Sequence, residues 1–578
     1  MSKRAMVVVL LALGASAQAR GQVLPGSSGP ASIAGGPSIW QRLPVTASGA
    51  VQVSSELYRH SSGVEQRRPG ASWRISMSPS LRLFNQVGMG TEVLLSSEGS
   101  QVRQSVDQVG LNPTYKWATF HVGDFARDYS PYTLQGTRLR GFGLDLKPGL
   151  FQFSVQGGQA QRVVAQGADG AAYKRTMFGA SIGVGREGSN HFALTMLKAK
   201  DDPNSLSQHL VNIDTTFSDT ALIADPLRFA TSPQENLVVG AETDLGFFQN
   251  VLHFTGEVGA SLFTRDLRSQ TVGDAGVGAL GPVSSLQPLR LSTSGDKAMQ
   301  GQLELRFQKF GIRGGYENVG AGYTSLGLPY LINDRRGFNV GGNVNLFSNR
   351  VSLAAETRAQ ANNLLGQKVA RTDRNNTMMS AVFAITPSLM MANTMVLSTA
   401  GTQKSDAAPG LDMHTMAVTS TITNRVTLFA RPTAISLTYA LQNSKDHEVG
   451  SVVPGSTGNN LTASVTTTMS QFVSAGPSLS IVNNSTGGQK GENNVLLGMT
   501  ARARLLAGQR LSLTGNVSNT FSSGRSVRAM KADASYPVFW DTKLAIGARH
   551  TAYSAFATKP AFNESFLTIG MTRALTSR

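Results

Sequence analysis

From about residue 51 to the last residues, apolar and polar side chains alternate one for one, and this constrains the chain more than any other feature. Phe151, Phe153 and Val155 alternate with Gln152, Ser154 and Gln156. Leu252, Phe254, Val258, Ala260 and Leu262 share one side, against His253, Thr255, Glu257 and Ser261. The same period recurs at Leu303–Phe307, Val495–Arg504 and Leu511–Ser518. A period of two is the signature of a strand with unlike faces. No sustained helical period competes with it, and glycine within most segments argues further against helices. The chain is predicted to be all-β.

Such strands must hide one face and wet the other. Charged residues are only 15% and hydrophobic residues only 40% of the 578, whereas ordinary soluble domains carry roughly 25% charged residues. Gly, Ser, Thr, Asn and Gln fill the difference, which suits a wetted lumen better than a dry core. No cysteine is present, so disulfides, thiolate metal sites and cysteine nucleophiles are excluded. In lipid every backbone group needs an internal partner, and a closed barrel is the only β solution.

The connections give the topology. Short ones fall at Lys147-Pro148-Gly149, Phe248-Gln249-Asn250, Ser348-Asn349-Arg350, Thr423-Asn424-Arg425 and Ala507-Gly508-Gln509-Arg510. Pro-Ser-Leu is read as opening a strand at 79–81, 387–389 and 477–479. Long polar connections fall near 159–173, 201–236, 265–297, 319–336, 362–375, 400–412 and 442–459. Their alternation predicts a single closed antiparallel up-and-down transmembrane β-barrel of about 26 strands, within about 22 to 26. It runs from Val51–Tyr58 to Phe562–Leu575, with a turn expected at Asn112-Pro113. Trp73, Trp117, Phe347 and Trp540 are candidates for interfacial aromatic girdles.

Ahead of the barrel, residues 1–19 read as a signal peptide: Lys3 and Arg4, the apolar run Ala5–Leu13, then the A-x-A sites at Ala15–Ala17 and Ala17–Ala19. Residues 20–50 read as a flexible linker rich in Gly, Ser and Pro, and residues 51–578 as the barrel.

Signal peptide, alternating strands, the Pro-Ser-Leu set and the segments Gly123-Asp124-Phe125 and Tyr316–Gly320 through Pro329–Asp334 together resemble the Gram-negative outer-membrane β-barrel class, in particular large porin-like barrels of unassigned substrate. The ending departs from that class. Leu575 is followed by Thr576, Ser577 and Arg578, where a terminal aromatic is common. The resemblance implies passive passage of small hydrophilic solutes, with outer-membrane lipid, lipopolysaccharide and the barrel-assembly machinery as partners. A structural or secretion-associated scaffold barrel without an open pore is the alternative, and a soluble exported adhesin a third reading. A TonB-dependent receptor fits less well, because residues 20–50 are too short for a folded plug.

Enzyme motifs are weak. Gly179-Ala180-Ser181-Ile182-Gly183 matches G-x-S-x-G, but Phe178, Ala180, Ile182 and Val184 continue one strand face where the motif needs a strand-to-helix turn. Gly276–Gly281 matches a dinucleotide fingerprint without its strand and helix. The eight histidines show no i, i+4 pair or HExxH, so no catalytic residue, metal site or cofactor is assigned. Basic residues placed on the polar face are Arg74, Arg82, Arg306, Arg358, Arg502, Arg504, Lys543 and Arg549. In a lumen they would favour anions. Glu242, Glu257, Glu304 and Glu356 share that face, so cross-strand pairing, or a place at the lipopolysaccharide rim, ranks above a dedicated anion filter. The net charge of +17 does not imply nucleic-acid binding in an exported chain.

Overall fold

The computed structural model describes residues 45–576, apart from 62–65, 85, 98–105, 165–170, 187–189, 207–230, 273–284, 404–409, 449–452, 488, 507, 509, 540–541 and 556–559. The proposed signal peptide, most of the proposed linker, the Gly276–Gly281 motif, Trp540 and the last two residues lie outside the described part.

Around the wall each barrel strand pairs antiparallel with its chain neighbours, and the last pairs with the first. Strand β1 (Val45–His60) meets β27 (Phe562–Thr576) along its length, from Ser48↔Thr576 to His60↔Glu564. That seam leaves no free edge. Of the 27 segments, β2 (Ala71–Met77) and β3 (Ser80–Leu83) are halves of one barrel strand: both pair with β1 on one side and with β4 (Val87–Ser96) on the other. The break falls at Ser78-Pro79, where Gly49 of β1 has φ +126° and sits against Ser78 O. A Cβ there would lie 2.2 Å from that oxygen, so only glycine fits. The result is a closed barrel of 26 strands.

Because partners in register share a face, rows can be followed around the wall. One row runs Phe153↔Ile182↔Leu194↔Ala241↔Val258↔Met299. It is apolar, and its large side chains are open to the outside; Ile182 is 60% exposed. A neighbouring row, Glu242↔Glu257↔Gln300↔Glu317↔Gly337↔Gln360, is polar and faces in. Apolar exterior and hydrophilic interior are what lipid on one side and water on the other require.

Short turns gather at one end. Several use a phenylalanine in the left-handed region: Phe248 (φ 52°), Phe347 (φ 51°) and Phe429 (φ 50°). Bulky residues rarely adopt that conformation. Here it aims the rings outward, with Phe429 97% exposed. With Phe84, Trp117, Phe307, Phe310, Phe472 and Phe539, they form an aromatic girdle at the short-turn end, as expected of an interface with headgroups.

Several sequence expectations shift. The first strand opens at Val45, so residues 45–50 belong to the barrel wall and not to the linker. Asn112-Pro113 lies inside β5 (Gln108–Tyr115), and the turn falls at Lys116-Trp117 before β6 (Ala118–Ala126). Proline is accommodated because the β5–β6 register runs Leu111↔Val122 then Thr114↔Thr119, leaving residues 112 and 113 unpaired on the β6 side while they stay opposite Gly90 and Met89 of β4. Strand β19 (Leu411–Leu428) continues through Thr423–Arg425 to a turn at Phe429-Ala430. Pro477–Leu479 is interior to β22 (Val473–Thr486). In both cases pairing with long neighbours overrides local turn chemistry. The long connections shrink as strands extend, and two hairpins at that end close tightly, at Gly487 and at Ser523-Gly524.

Candidate functional site

The lumen wall is not left bare. Two connections at the long-loop end, residues 127–137 and 320–334, fold back against the inner faces of β9 (Arg175–Gly185), β10 (His191–Asp201), β11 (Glu235–Phe247), β12 (Leu252–Thr264), β13 (Thr293–Arg306) and β14 (Phe310–Val319). They carry Tyr132, Leu134, Tyr323 and Leu326, which meet Met177, Leu197, Val238, Ala298 and Val319 of the wall. Leu134, Leu197 and Val238 have no exposed surface. This small apolar core is the reason the loops turn inward, since burial at about 25 cal/mol per Å² outweighs leaving those rings in water.

Hydrogen bonds then fix the pair. Tyr323 Oη donates to Tyr132 O (2.6 Å), Ser325 Oγ to Thr133 O (2.6 Å), and Thr137 Oγ1 to Gly327 O (2.8 Å). Wall residues join in. Asn236 Nδ2 donates to Thr324 O (3.0 Å) and its Oδ1 accepts from Leu326 N (3.0 Å). Thr133 Oγ1 lies 2.8 Å from Thr195 Oγ1. Gly259 leaves room for the aromatic pair; a Cβ there would sit 2.5 Å from Tyr323 Oη. Burial raises the hydroxyl of Tyr129 to about 12, and those of Tyr132 and Tyr323 also rise, again through burial, with Glu317 adding to the rise at Tyr132. All three therefore stay protonated at neutral pH.

Below the first loop, Arg127 Nη2 reaches Asp145 Oδ2 (2.5 Å), which also lies 3.0 Å from His121 Nε2, while Ser154 Oγ donates to Asp145 Oδ1 (2.6 Å). Serine and histidine both address the carboxylate, not each other, so the cluster anchors the loop and contains no serine–histidine pair. Ser181 lies within the straight strand β9, opposite Thr195 and Ser154, and the G-x-S-x-G segment forms no nucleophile elbow.

All eight basic residues singled out in the sequence fall on the same set of register rows as Glu242, Glu257, Glu304 and Glu356. Arg306 Nη2 bonds Glu304 Oε2 (2.7 Å). On the same arc Arg313 bonds Glu356, and Arg335 Nη2 reaches Glu317 Oε1 (2.6 Å). Arg358 stands between Asn339 and Asn376. The opposite arc differs. Arg502 faces Ser474 and Thr514, Arg504 faces Ser512, Lys543 faces Pro537 and Thr572, and Arg82 faces Thr46 and Gly88. Arg549 faces Phe566, with its guanidinium 5.8 Å from that ring centroid, and Lys531, which pairs with Asp533 (2.9 Å). Arg74 stands opposite Ser54 and Ser96. Glu242, Asp244, Glu257, Glu304, Glu317 and Glu356 crowd the first arc. The barrel thus separates an arc crowded with ion-paired carboxylates from one on which basic residues outnumber the carboxylates Glu56, Asp533 and Glu564.

Polar grooves line the acidic arc. One of about 120 Å³ is bounded by Glu257, Gln300, Gln302, Glu317, Asn339 and Arg358.

No family model matches the chain, and no curated protein matches it in sequence. Among solved structures it is similar to the siderophore receptor PirA from Pseudomonas aeruginosa (9% identity, TM-score 0.38, 91% of this chain and 80% of that one). It is also similar to OccK3 (OpdO) from Pseudomonas aeruginosa (11%, 0.32, 66% and 98%) and to a BenF-like porin from Pseudomonas fluorescens Pf-5 (10%, 0.30, 60% and 92%). Likeness at that level assigns no function.

Proposed function

We propose that the chain is an outer-membrane barrel through which small hydrophilic solutes pass passively, anions more readily than cations. The carrying observation is the division of the inner wall. On one arc arginines are held by carboxylates, whereas Arg82, Arg502, Arg504 and Lys543 stand opposite neutral residues. Uncompensated charge on a water-lined wall raises the local concentration of the opposite ion. The two inward loops narrow the bore from the long-loop end, so size selection falls at the level of residues 127–137 and 320–334, which Tyr132 and Tyr323 hold against the wall.

Planar-bilayer recording of the purified protein tests this. Discrete conductance steps and an anion-leaning reversal potential are expected in a salt gradient. A cation-leaning potential overturns the preference. Absence of any conductance favours the scaffold reading, for which the same inward loops are the specific support.

A further inference from the structure

We propose that Asp412, His414 and His447 form a binding site for a zinc-class divalent cation on the outer rim of the barrel. Each offers one ligand atom, and the three atoms lie within 4.8 Å of one another. His414 Nε2 is 3.0 Å from Asp412 Oδ1, and the two imidazoles meet edge to face with centroids 4.7 Å apart. In tetrahedral zinc sites, ligands at about 2.0–2.2 Å from the metal stand somewhat over 3 Å apart, so small side-chain adjustments close the set.

Backbone architecture holds the three residues together. Asp412 and His414 alternate on one face of β19, and His447 follows directly on β20 (Arg431–Asp446). His447 N donates to Asp412 O (2.9 Å), while Asp446 Oδ1 accepts from Asp412 N (2.9 Å) and Glu448 N (3.1 Å). Asp412 and His414 therefore sit on a strand pair whose ends are tied, and His447 is the first residue beyond it, held by its own amide.

Position makes the site accessible. β19 has 18 residues; at about 3.4 Å per residue and about 45° tilt it spans roughly 40 Å, against an apolar band of about 25 Å. Phe429, in the girdle, marks the interface at its other end, so the excess length lifts Asp412 and His414 clear of the hydrocarbon. Both histidines are exposed. Two imidazoles with one carboxylate suit zinc-like ions, whereas magnesium and calcium prefer all-oxygen sets. The remaining coordination positions open to solvent, as in a site that exchanges its ion. Lys445, opposite His414 in register, is the adverse charge, and it limits affinity.

The test is calorimetric titration of zinc chloride into the tag-free, full-length protein in detergent, with cobalt absorption as a second readout. About one equivalent is expected, lost in H414A/H447A and retained in H550A, whose histidine lies elsewhere on the wall. Heat-modifiable migration verifies that the double variant folds. D412N, which leaves both imidazoles in place, weakens binding and alters the cobalt spectrum. Equal binding by wild type and H414A/H447A, no binding by wild type, or magnesium binding as well as zinc would overturn the proposal.

Discussion

Thr133 Oγ1 and Thr195 Oγ1 lie 2.8 Å apart, joining the tip of an inward loop to the middle of a wall strand. Both residues are buried, although a lumen is nominally water. The loop from 127 to 137 is therefore part of the packed structure and not a flap waiting to close.

Loosening that contact should widen the channel. Leu134→Ala removes a side chain with no exposed surface; such truncations cost about 2–5 kcal/mol. The cost falls on loop docking and not on the barrel ladder. Single-channel conductance is expected to rise, with heat-modifiability unchanged. Gly259→Val, whose Cβ would collide with Tyr323 Oη, should do the same.

Charge on the basic arc should set ion preference. Neutralising Arg502, Arg504 and Lys543 together to Gln is expected to move the reversal potential toward cations. Arg306→Gln, which breaks one ion pair, should move it less. An equal effect of both changes would contradict the assignment of the two arcs.

Acid should release a loop. Burial works to raise the Asp334 carboxyl, but Lys368 and the amides of Leu364 and Asn363 outweigh it and hold it below the ordinary carboxylate range. A carboxylate with a lowered folded-state pKa stabilises above its unfolded value, and that stability is lost as pH falls through the lowered one. Residues 363–368 should therefore stay docked at neutral pH and loosen only in strong acid. Hydrogen exchange at the Leu364 amide checks this, and D334N should show the loosened behaviour already at pH 7.

Two glycines provide a matched comparison for the ladder. A Cβ on Gly476 would lie 1.6 Å from Val465 O, whereas one on Gly515 would meet nothing within 4 Å. Gly476→Ala should lower the unfolding temperature or block assembly. Gly515→Ala should be neutral or stabilising by about 0.4–1 kcal/mol.

Alternation alone determined that the chain is all-β, which side chains face lipid, and that Arg306 and Glu304 share the lumen face, because side chains repeat every two residues along a strand. Short and long connections determined the strand number, though not strand ends at Thr423–Arg425 or Asn112-Pro113, where ladder pairing overrode local turn chemistry. The segment Gly123–Phe125 leads into the first inward loop, and Tyr316–Asp334 contains the second. Their docking depended on Tyr132 meeting Tyr323, residues 191 apart in the chain. His414 and His447 likewise share no ligand spacing along the chain, and only the pairing of neighbouring strands brings them together. Contacts between distant segments decide what fills the lumen and what meets at the rim, since only closure of the sheet fixes which residues stand opposite one another.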